Sequence, residues 1–461
     1  MPDALAATPY PRGTTAPPLM LSPRLDRETV RRVGFISAFF LEGYRTLGPI
    51  FRFRRGPQEF TVLAGRAANL FVTREGKRII RADDYRRDQN LEFGVDQTLV
   101  SLSGEEHLRH RRIQKRGYSR TALDARSGAL MAIVGAAAAR WATGQRLHVR
   151  DVFPPIIAEQ LGVGVLNYPL GDYFDDVTLF ARTVVAETVA KTRPRSVIDT
   201  PEYERAKTRS LELADKVIAA HRDEPGGPGR PDLVDDLLDA LAADPTLMTP
   251  QELRIAVLGG YIGGLDTVAY TCTFMLYCLL THPETLARAT AEVDRFFAAD
   301  PADTTPVSAL RTLHHTALET LRLYPLSGAI QATAAVPFEF SGYHVPAGAD
   351  LIVATTVPHF LPEHFPDPFT FDIERYAPPR NEHHVEGAFA PFGIGPHLCL
   401  GAGMAETLII LTMAALLRTV RLELDPPDYE LEIEMIPVPV PKNFRVVVSG
   451  QRHAVSGGRQ P

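Results

Sequence analysis

The chain has 461 residues, 45% of them hydrophobic, and a formal net charge of −6. That is ample for a large apolar core, and mild acidity argues against nucleic acid as a bulk partner. Three cysteines, an odd and low count, read as a reducing compartment without structural disulfides.

The N-terminus lacks the basic region and apolar core of a secretory signal. The longest early apolar stretch, residues 33–41, spans about nine residues where a membrane span needs about 20. The expectation is a cytoplasmic protein without a transmembrane anchor. Residues 1–23, rich in Pro, Ala and Thr, read as a loose arm, and residues 451–461 as a flexible tail. Length alone suggests two or three domains. The motifs below run from residue 104 to 401 and must converge on one site, so residues 24–450 are expected to form one domain.

Residues 26–46 carry Val33, Ile36, Phe39, Phe40 and Tyr44 at helical spacing. A helix packed on the body accounts for this stripe, with a peripheral membrane contact as the weaker alternative. Two short β-branched or alternating runs, residues 50–53 and 60–63, flank Arg55-Gly56-Pro57 and predict a hairpin. Residues 67–74 read as helix. Residues 84–103 show no sustained period, and a loop of that length is usually functional or mobile.

Residues 104–118 predict a basic helix. His107 and Arg111, four apart, share one face. Arg109, Arg112, Arg116 and, if the helix extends so far, Arg120 fall on the other. A solvated face and a docking face both fit this charge run. Residues 121–166 and 168–225 predict further helices. Gly226-Gly227-Pro228-Gly229 is a break, and residues 232–241 form an amphipathic helix.

Thr249-Pro250-Gln251-Glu252 is a helix start, with Thr249 as N-cap and Glu252 closing a capping box. The helix runs to about residue 280. Gly259, Gly260, Gly263 and Gly264 sit inside it, and each costs about 1 kcal/mol relative to Ala. A kink or close helix packing would explain them. Asp266 and Thr267 follow, polar groups in an apolar helix whose burial is unfavourable without a purpose. Cys272 and Cys278 lie six residues, roughly 9 Å, apart on the same helix and cannot bridge there.

Thr281-His282-Pro283-Glu284 predicts a cap for the next helix, to about residue 297. Residues 312–324 form another, with Glu319 and Arg322 at pair spacing. Residues 329–356 read as strands and turns. Phe371-Asp372-Ile373-Glu374-Arg375-Tyr376 follows. The stretch from Phe392 to Gly401 then sets Cys399 among three glycines and a proline, ahead of an apolar helix over residues 402–417. The glycines and proline predict a tight loop. A thiolate just before a helix N-terminus is stabilised by the backbone N–H dipoles. A small buried residue, an exposed nucleophile and a cofactor ligand all fit Cys399. Residues 429–447 read as strands, with a turn in the run Ile436-Pro437-Val438-Pro439-Val440-Pro441.

Phe-Gly-x-Gly-x-His-x-Cys-x-Gly, residues 392–401, resembles the haem-binding loop of cytochrome P-450, the haem-thiolate monooxygenase family. Three further blocks occur in that family's order. Gly104-x-x-His107-x-x-x-Arg111 resembles its propionate-contacting helix. Gly263-Gly264-Leu265-Asp266-Thr267 resembles its oxygen-groove motif. Glu319-x-x-Arg322 with Leu323-Tyr324-Pro325, and later Arg375, resembles its structural network. The resemblance covers roughly residues 30–448.

The resemblance implies a mainly α fold with small β-sheets (α+β), with haem b held between the long helix and the Cys loop. Cys399 would be the axial thiolate of the iron, pushing electron density that favours O–O cleavage. His397, His107 and Arg111 would lie at the propionates, and Phe392, Gly393, Gly401 and Gly263 would shape the cofactor site. Thr267 would hydrogen-bond the oxygen being activated, and Asp266 would relay protons. Glu319, Arg322 and Arg375 would serve folding and haem assembly. Residues 84–103 would cap the substrate pocket, and the Pro-rich turn would dip into it.

The sequence departs from the family at three places. Val268 stands where a second Thr or Ser is usual. Ile373 and Tyr376 replace a Pro and a Phe. No Arg occurs between Arg322 and Arg375, so a propionate contact expected near Gln331 is in doubt.

Arg109, Arg112 and Arg116 would face outward to an acidic ferredoxin or flavodoxin-type donor, with electrons ultimately from NAD(P)H. The expected enzyme is a monomer that inserts one atom of O2 into an apolar molecule by hydroxylation or epoxidation. Small side chains at residues 326–330 favour a terpenoid or steroid-like body, whereas Arg86 or Arg87 could anchor a fatty-acid carboxylate. Peroxide-using or rearranging relatives usually lose the acid–Thr pair. A haem sensor would need a signalling segment, and none is visible.

Overall fold

The computed structural model describes residues 15–224, 231–298 and 307–453. The break expected at Gly226–Gly229 lies outside the described residues, as do residues 1–14 of the arm and 454–461 of the tail.

The helices are α1 (Arg27–Leu47), α2 (Arg66–Ile79), α3 (Asp83–Phe93), α4 (Gly104–Gln114), α5 (Arg120–Asp124), α6 (Ser127–Ala138) and α7 (Val149–Val165). They continue with α8 (Phe174–Val184), α9 (Pro201–Asp223), α10 (Leu233–Ala243), α11 (Pro250–Thr281), α12 (Pro283–Ala298), α13 (Arg311–Leu323) and α14 (Ala402–Thr419). The strands are β1 (Ile50–Arg55), β2 (Gln58–Ala64), β3 (Ile80–Arg81), β4 (Arg146–His148), β5 (Ile330–Ala334) and β6 (Phe338–Phe340). They end with β7 (Tyr343–Val345), β8 (Asp350–Ala354), β9 (Val420–Leu424), β10 (Ile433–Ile436), β11 (Val438–Pro441) and β12 (Arg445–Gln451). The mainly helical architecture with small sheets is the one expected.

The described residues divide into two compact units. The first takes in residues up to Asp88, Val100–Leu108 and Ser327–Cys399. Its centre is a five-stranded sheet in the order β1-β2-β8-β5-β3. The expected hairpin is β1–β2, paired antiparallel from Ile50–Leu63 to Arg55–Gln58. β2 runs parallel to β8. Phe60 to Ala64 are all buried, as a central strand covered on both faces requires. α1 is capped by Asp26, which accepts from the Thr29 N–H, and its path breaks at Gly34 (φ 77°).

The second unit takes in Gln89–Leu99, Arg109–Leu326 and the residues from Leu400 on. Its spine is α11, whose start is the predicted capping box. The Glu252 N–H donates to Thr249 Oγ1 at 3.2 Å, and the Thr249 N–H to Glu252 Oε2 at 2.7 Å. Helices α7, α9, α13 and α14 pack along it. α11 and α14 are long and apolar enough to cross a bilayer, but 67% and 78% of their apolar windows are buried inside the protein. They are core helices, which meet the same length and composition as a membrane span.

Four local expectations are corrected. Residues 83–93 form α3, not loop. Its polar sequence has no apolar stripe to reveal it. Glu92 instead accepts from Tyr203 Oη (2.9 Å) and Lys207 Nζ (2.8 Å) of α9, a tertiary hold that overrides local preference. α4 stops at Gln114 rather than near Tyr118. Beyond it, Gly117 passes so close to α10 that a Cβ there would lie 2.7 Å from Leu233 Cα. Thr281 does not cap α12. It ends α11, and its hydroxyl donates back to the Tyr277 carbonyl at 2.9 Å. The Pro-rich run is not simply a turn. β11 pairs with β10 as half of a hairpin, Ile433 opposite Pro441 and Ile436 opposite Val438. An edge strand tolerates proline because its outward N–H positions need no partner.

Candidate active site

The loop from Phe392 to Cys399 is shaped by its glycines. Gly393 (φ 78°) and Gly395 (φ 66°) both lie in the left-handed region, where a side chain is strained. Between them and Cys399 the chain makes one tight turn, Gly395–His397. It then doubles back, so the Cys399 N–H donates to the Phe392 carbonyl at 2.9 Å. Helix α2 packs against this loop. A Cβ on Gly395 would sit 3.1 Å from the Val72 carbonyl oxygen, and one on Gly76 3.0 Å from Pro396 Cδ. The entry is fixed as well, since the Ala390 N–H donates to His359 Nε2 at 2.9 Å inside the core.

The three cysteines differ in exposure. Cys272 and Cys278 are buried in α11, and burial pushes both thiols well up from their ordinary range. Cys399 is exposed and outside any disulfide. Only its sulfur is accessible to a partner. The chain enters α14 at Ala402, just beyond it.

His397 and His107 come together. Their rings stack with centroids 4.3 Å apart, and His107 is buried. Arg111 is half-buried on the same face of α4, whereas Arg109 and Arg112 are exposed. The basic face is less coherent than its spacing predicts. Arg116 lies beyond the end of α4. Arg109 pairs with Asp244 and Arg116 with Asp236.

Along α11, Gly263 is exposed although neighbouring Gly264 and Leu265 are buried. A Cβ at Gly263 would meet no atom within 4 Å, whereas one at Gly264 would contact Met404 and Leu161. Gly263 therefore faces open space, and Gly264 allows close helix packing. Thr267 Oγ1 donates back to the Gly263 carbonyl at 2.9 Å and is within 3.2 Å of that of Gly264. Asp266 is gripped by Arg182 of α8, from Nε at 2.9 Å and from the terminal NH2 at 2.7 Å. The same NH2 donates to Tyr270 Oη at 3.0 Å. Burial works to lower the Arg182 pKa, but the Asp266 hydrogen bond and charge prevail and raise it. Arg182 was not singled out from the sequence. The available signal was a lone cation in the apolar run Phe180-Ala181-Arg182-Thr183-Val184.

The structural residues are deeply placed. Glu319 and Arg322 are both fully buried and paired twice, at 2.7 and 2.8 Å. Arg375, also buried, donates to Glu382 Oε2 and to the Asp367 carbonyl, both at 2.9 Å. Gln331 lies on β5, and its Oε1 is buried without a hydrogen-bond donor.

Comparisons with known proteins agree with this picture. The family model described as Cytochrome P450 matches residues 193–445. The cyclooctat-9-en-7-ol 5-monooxygenase of Streptomyces melanosporofaciens is 28% identical over 324 residues, 68% of this chain and 70% of that one. The pentalenene oxygenase of Streptomyces avermitilis is 26% identical over 374 residues, 76% of this chain and 79% of its own. The retinoic-acid-bound cyanobacterial CYP120A1 superposes with a TM-score of 0.79 at 23% identity, covering 95% of this chain and all of that one. The chain belongs to the cytochrome P450 family and is an oxidoreductase of the monooxygenase class.

Proposed function

We propose that this enzyme oxygenates an apolar, terpenoid-type small molecule, with Cys399 as the thiolate that would hold haem b. The observation that carries the reading is the exposure of Cys399 alone among the cysteines, in a loop turned by two left-handed glycines. When bound, the haem supplies oxygen activation and oxidation of an unactivated C–H or C=C bond. One oxygen atom enters the substrate, and the other leaves as water with two electrons and two protons.

The protein's part is to hold and to deliver protons. His107, His397 and Arg111 suit the propionates, because the stacked imidazoles and the half-buried guanidinium are each able to donate to a carboxylate. Gln331 takes the place of the missing Arg. Turned over, its amide presents N–H2 where the buried Oε1 lacks a donor, and a carboxylate would accept from it. Phe392, Gly393 and Gly401 shape the loop, and Gly263 leaves α11 open. Thr267 Oγ1 hands on a proton, and Asp266 replenishes it once Arg182 lets go. Glu319, Arg322 and Arg375 serve the fold.

The terpenoid class rests on the names of the two Streptomyces relatives. The proposed donor is a ferredoxin or flavodoxin-type protein drawing on NAD(P)H. The enzyme is taken to be cytoplasmic and monomeric. The Asp266–Thr267 pair speaks against a peroxide-using enzyme. The test is turnover of cyclic terpenes and terpene alcohols with a reducing system and O2, against hydrogen peroxide alone. Products that need reductant and O2 support the proposal. Equal turnover with peroxide alone contradicts it.

A further inference from the structure

Within the second unit, the end of α9 and the start of α10 meet in a buried ionisable cluster. His221 is 5% exposed, Asp232 2% and Asp235 8%. The His221 ring is held at both nitrogens. Nδ1 lies 2.8 Å from the Val217 carbonyl, one turn back on α9, and Nε2 lies 2.9 Å from Asp232 Oδ2. Asp232 is also the N-cap of α10. Its Oδ1 accepts from the Val234 N–H at 2.8 Å, and its own N–H donates to Asp235 Oδ2 at 2.9 Å.

What the two ring nitrogens face decides the charge of the ring. A carbonyl oxygen only accepts, and so does a carboxylate. The positive end of α10 and the Arg126 guanidinium, 3.9 Å from Asp232 Oδ2, favour the carboxylate form of Asp232. Both nitrogens must then donate, and the ring is a buried imidazolium. Asp232 and Asp235 of α10 favour that charge, and Arg126, at the start of α6, opposes it. Burial works to lower the His221 pKa, but the Asp232 hydrogen bond, the Val217 carbonyl and the two carboxylate charges prevail and raise it. The three side chains each offer a ligand atom, all within 4.8 Å of one another, a spacing that would also admit a metal ion. Arg126 and the positive helix end repel such an ion, whereas a proton satisfies ring and carboxylate together.

The start of α10 has further ties. Leu233 is wedged against Gly117, where a Cβ would lie 2.6 Å from Leu233 Cβ, and Asp236 binds Arg116. We propose that His221 is a proton-operated latch that clasps the start of α10 to the end of α9 and slackens when it loses its proton. Without that proton one nitrogen faces an acceptor with nothing between them. Either the Val217 hold or the Asp232 hold is lost, and the attraction between the charges goes with it. The unfolded imidazole titrates near ~6.5, and the folded one higher. The latch therefore stabilises the protein fully below about pH 6.5 and is lost as pH rises through the folded value.

The test uses the haem-loaded full chain. Histidine-selective 15N NMR, with His221→Gln for assignment, follows the ring from about pH 6 to 10. Both nitrogens should carry protons at neutral pH, with a midpoint about one unit or more above ~6.5. Asp232→Asn keeps a good N-cap but removes the charge, and should bring the midpoint down by about one unit or more. Thermal midpoints of wild type and His221→Gln over the same range give a second reading. The wild-type advantage should be constant below about pH 6.5 and shrink as pH rises. A ring that titrates at or below ~6.5 overturns the latch, as does an Asp232→Asn midpoint equal to that of wild type. A wild-type advantage that stays flat or grows with pH overturns it too. So does a rise in thermal midpoint with added zinc that His221→Gln abolishes, which would make the cluster a metal site.

Discussion

Asp266 is held by Arg182. Both Nε and the terminal NH2 of the guanidinium lie within 3.0 Å of the carboxylate, and the NH2 also binds Tyr270 Oη. The carboxylate proposed to relay protons is thus tied to α8, one residue from the Thr267 hydroxyl it would serve. Any proton movement through Asp266 requires this clasp to open.

Arg182→Ala should leave Asp266 largely buried without a partner. The expected cost is about 1–3 kcal/mol of stability. Asp266→Asn in the same background should recover most of it, because the uncompensated charge is gone. A double-mutant cycle by urea denaturation measures the coupling. Additive losses would mean that the pair contributes nothing to the folded state.

Thr267→Ala should still bind substrate but waste reducing equivalents. The side chain removed is a hydroxyl beside Gly263, where α11 is open. The measurement is hydrogen peroxide released per reductant consumed, which should rise severalfold. An unchanged ratio with full product yield removes Thr267 from proton delivery.

Donor docking should depend on Arg112, which is exposed on α4. Arg112→Glu should slow the first electron transfer. The difference from wild type should fade as salt shortens the Debye length from about 10 Å at 0.1 M. Parallel salt curves for the variant and wild type would place the donor elsewhere.

The helical core was legible because its signals are local. The Thr249–Glu252 capping box, the glycines of α11 and the Phe392–Gly401 pattern each fall within a few residues. α3 was not legible, because Tyr203 and Lys207, more than a hundred positions away, hold Glu92 in place. Arg182 escaped for the same reason, since its meaning depends on a contact with α11. The spacing of Arg109, Arg112 and Arg116 predicts one face, but it cannot reveal that α4 ends before Arg116 or that Asp236 and Asp244 approach. At Cys399, spacing alone left three readings open. The exposure of its thiol separates it from the other two cysteines.

His314 should make stability fall in acid. Burial, with Arg120 and His315 nearby, pushes its imidazole down to about 4. An unfolded histidine titrates near ~6.5, so between those values the unfolded chain binds the extra proton. The neutral side chain's contribution is full above about pH 6.5, falls as pH drops towards 4, and levels off below. His314→Gln should remove that slope. The check is the urea midpoint of both proteins from pH 7.5 to 4.5. A wild-type-minus-variant difference that does not change with pH contradicts the assignment.

The central claim is that Cys399 is the ligand of a haem iron. Its most direct test is the absorption spectrum of the reduced, carbon-monoxide-treated holoprotein, for wild type and Cys399→His. Wild type should show the far red-shifted Soret band of a thiolate ligand, and the variant should retain haem but lose that band. A band that persists in Cys399→His, or that is absent from haem-loaded wild type, contradicts the account.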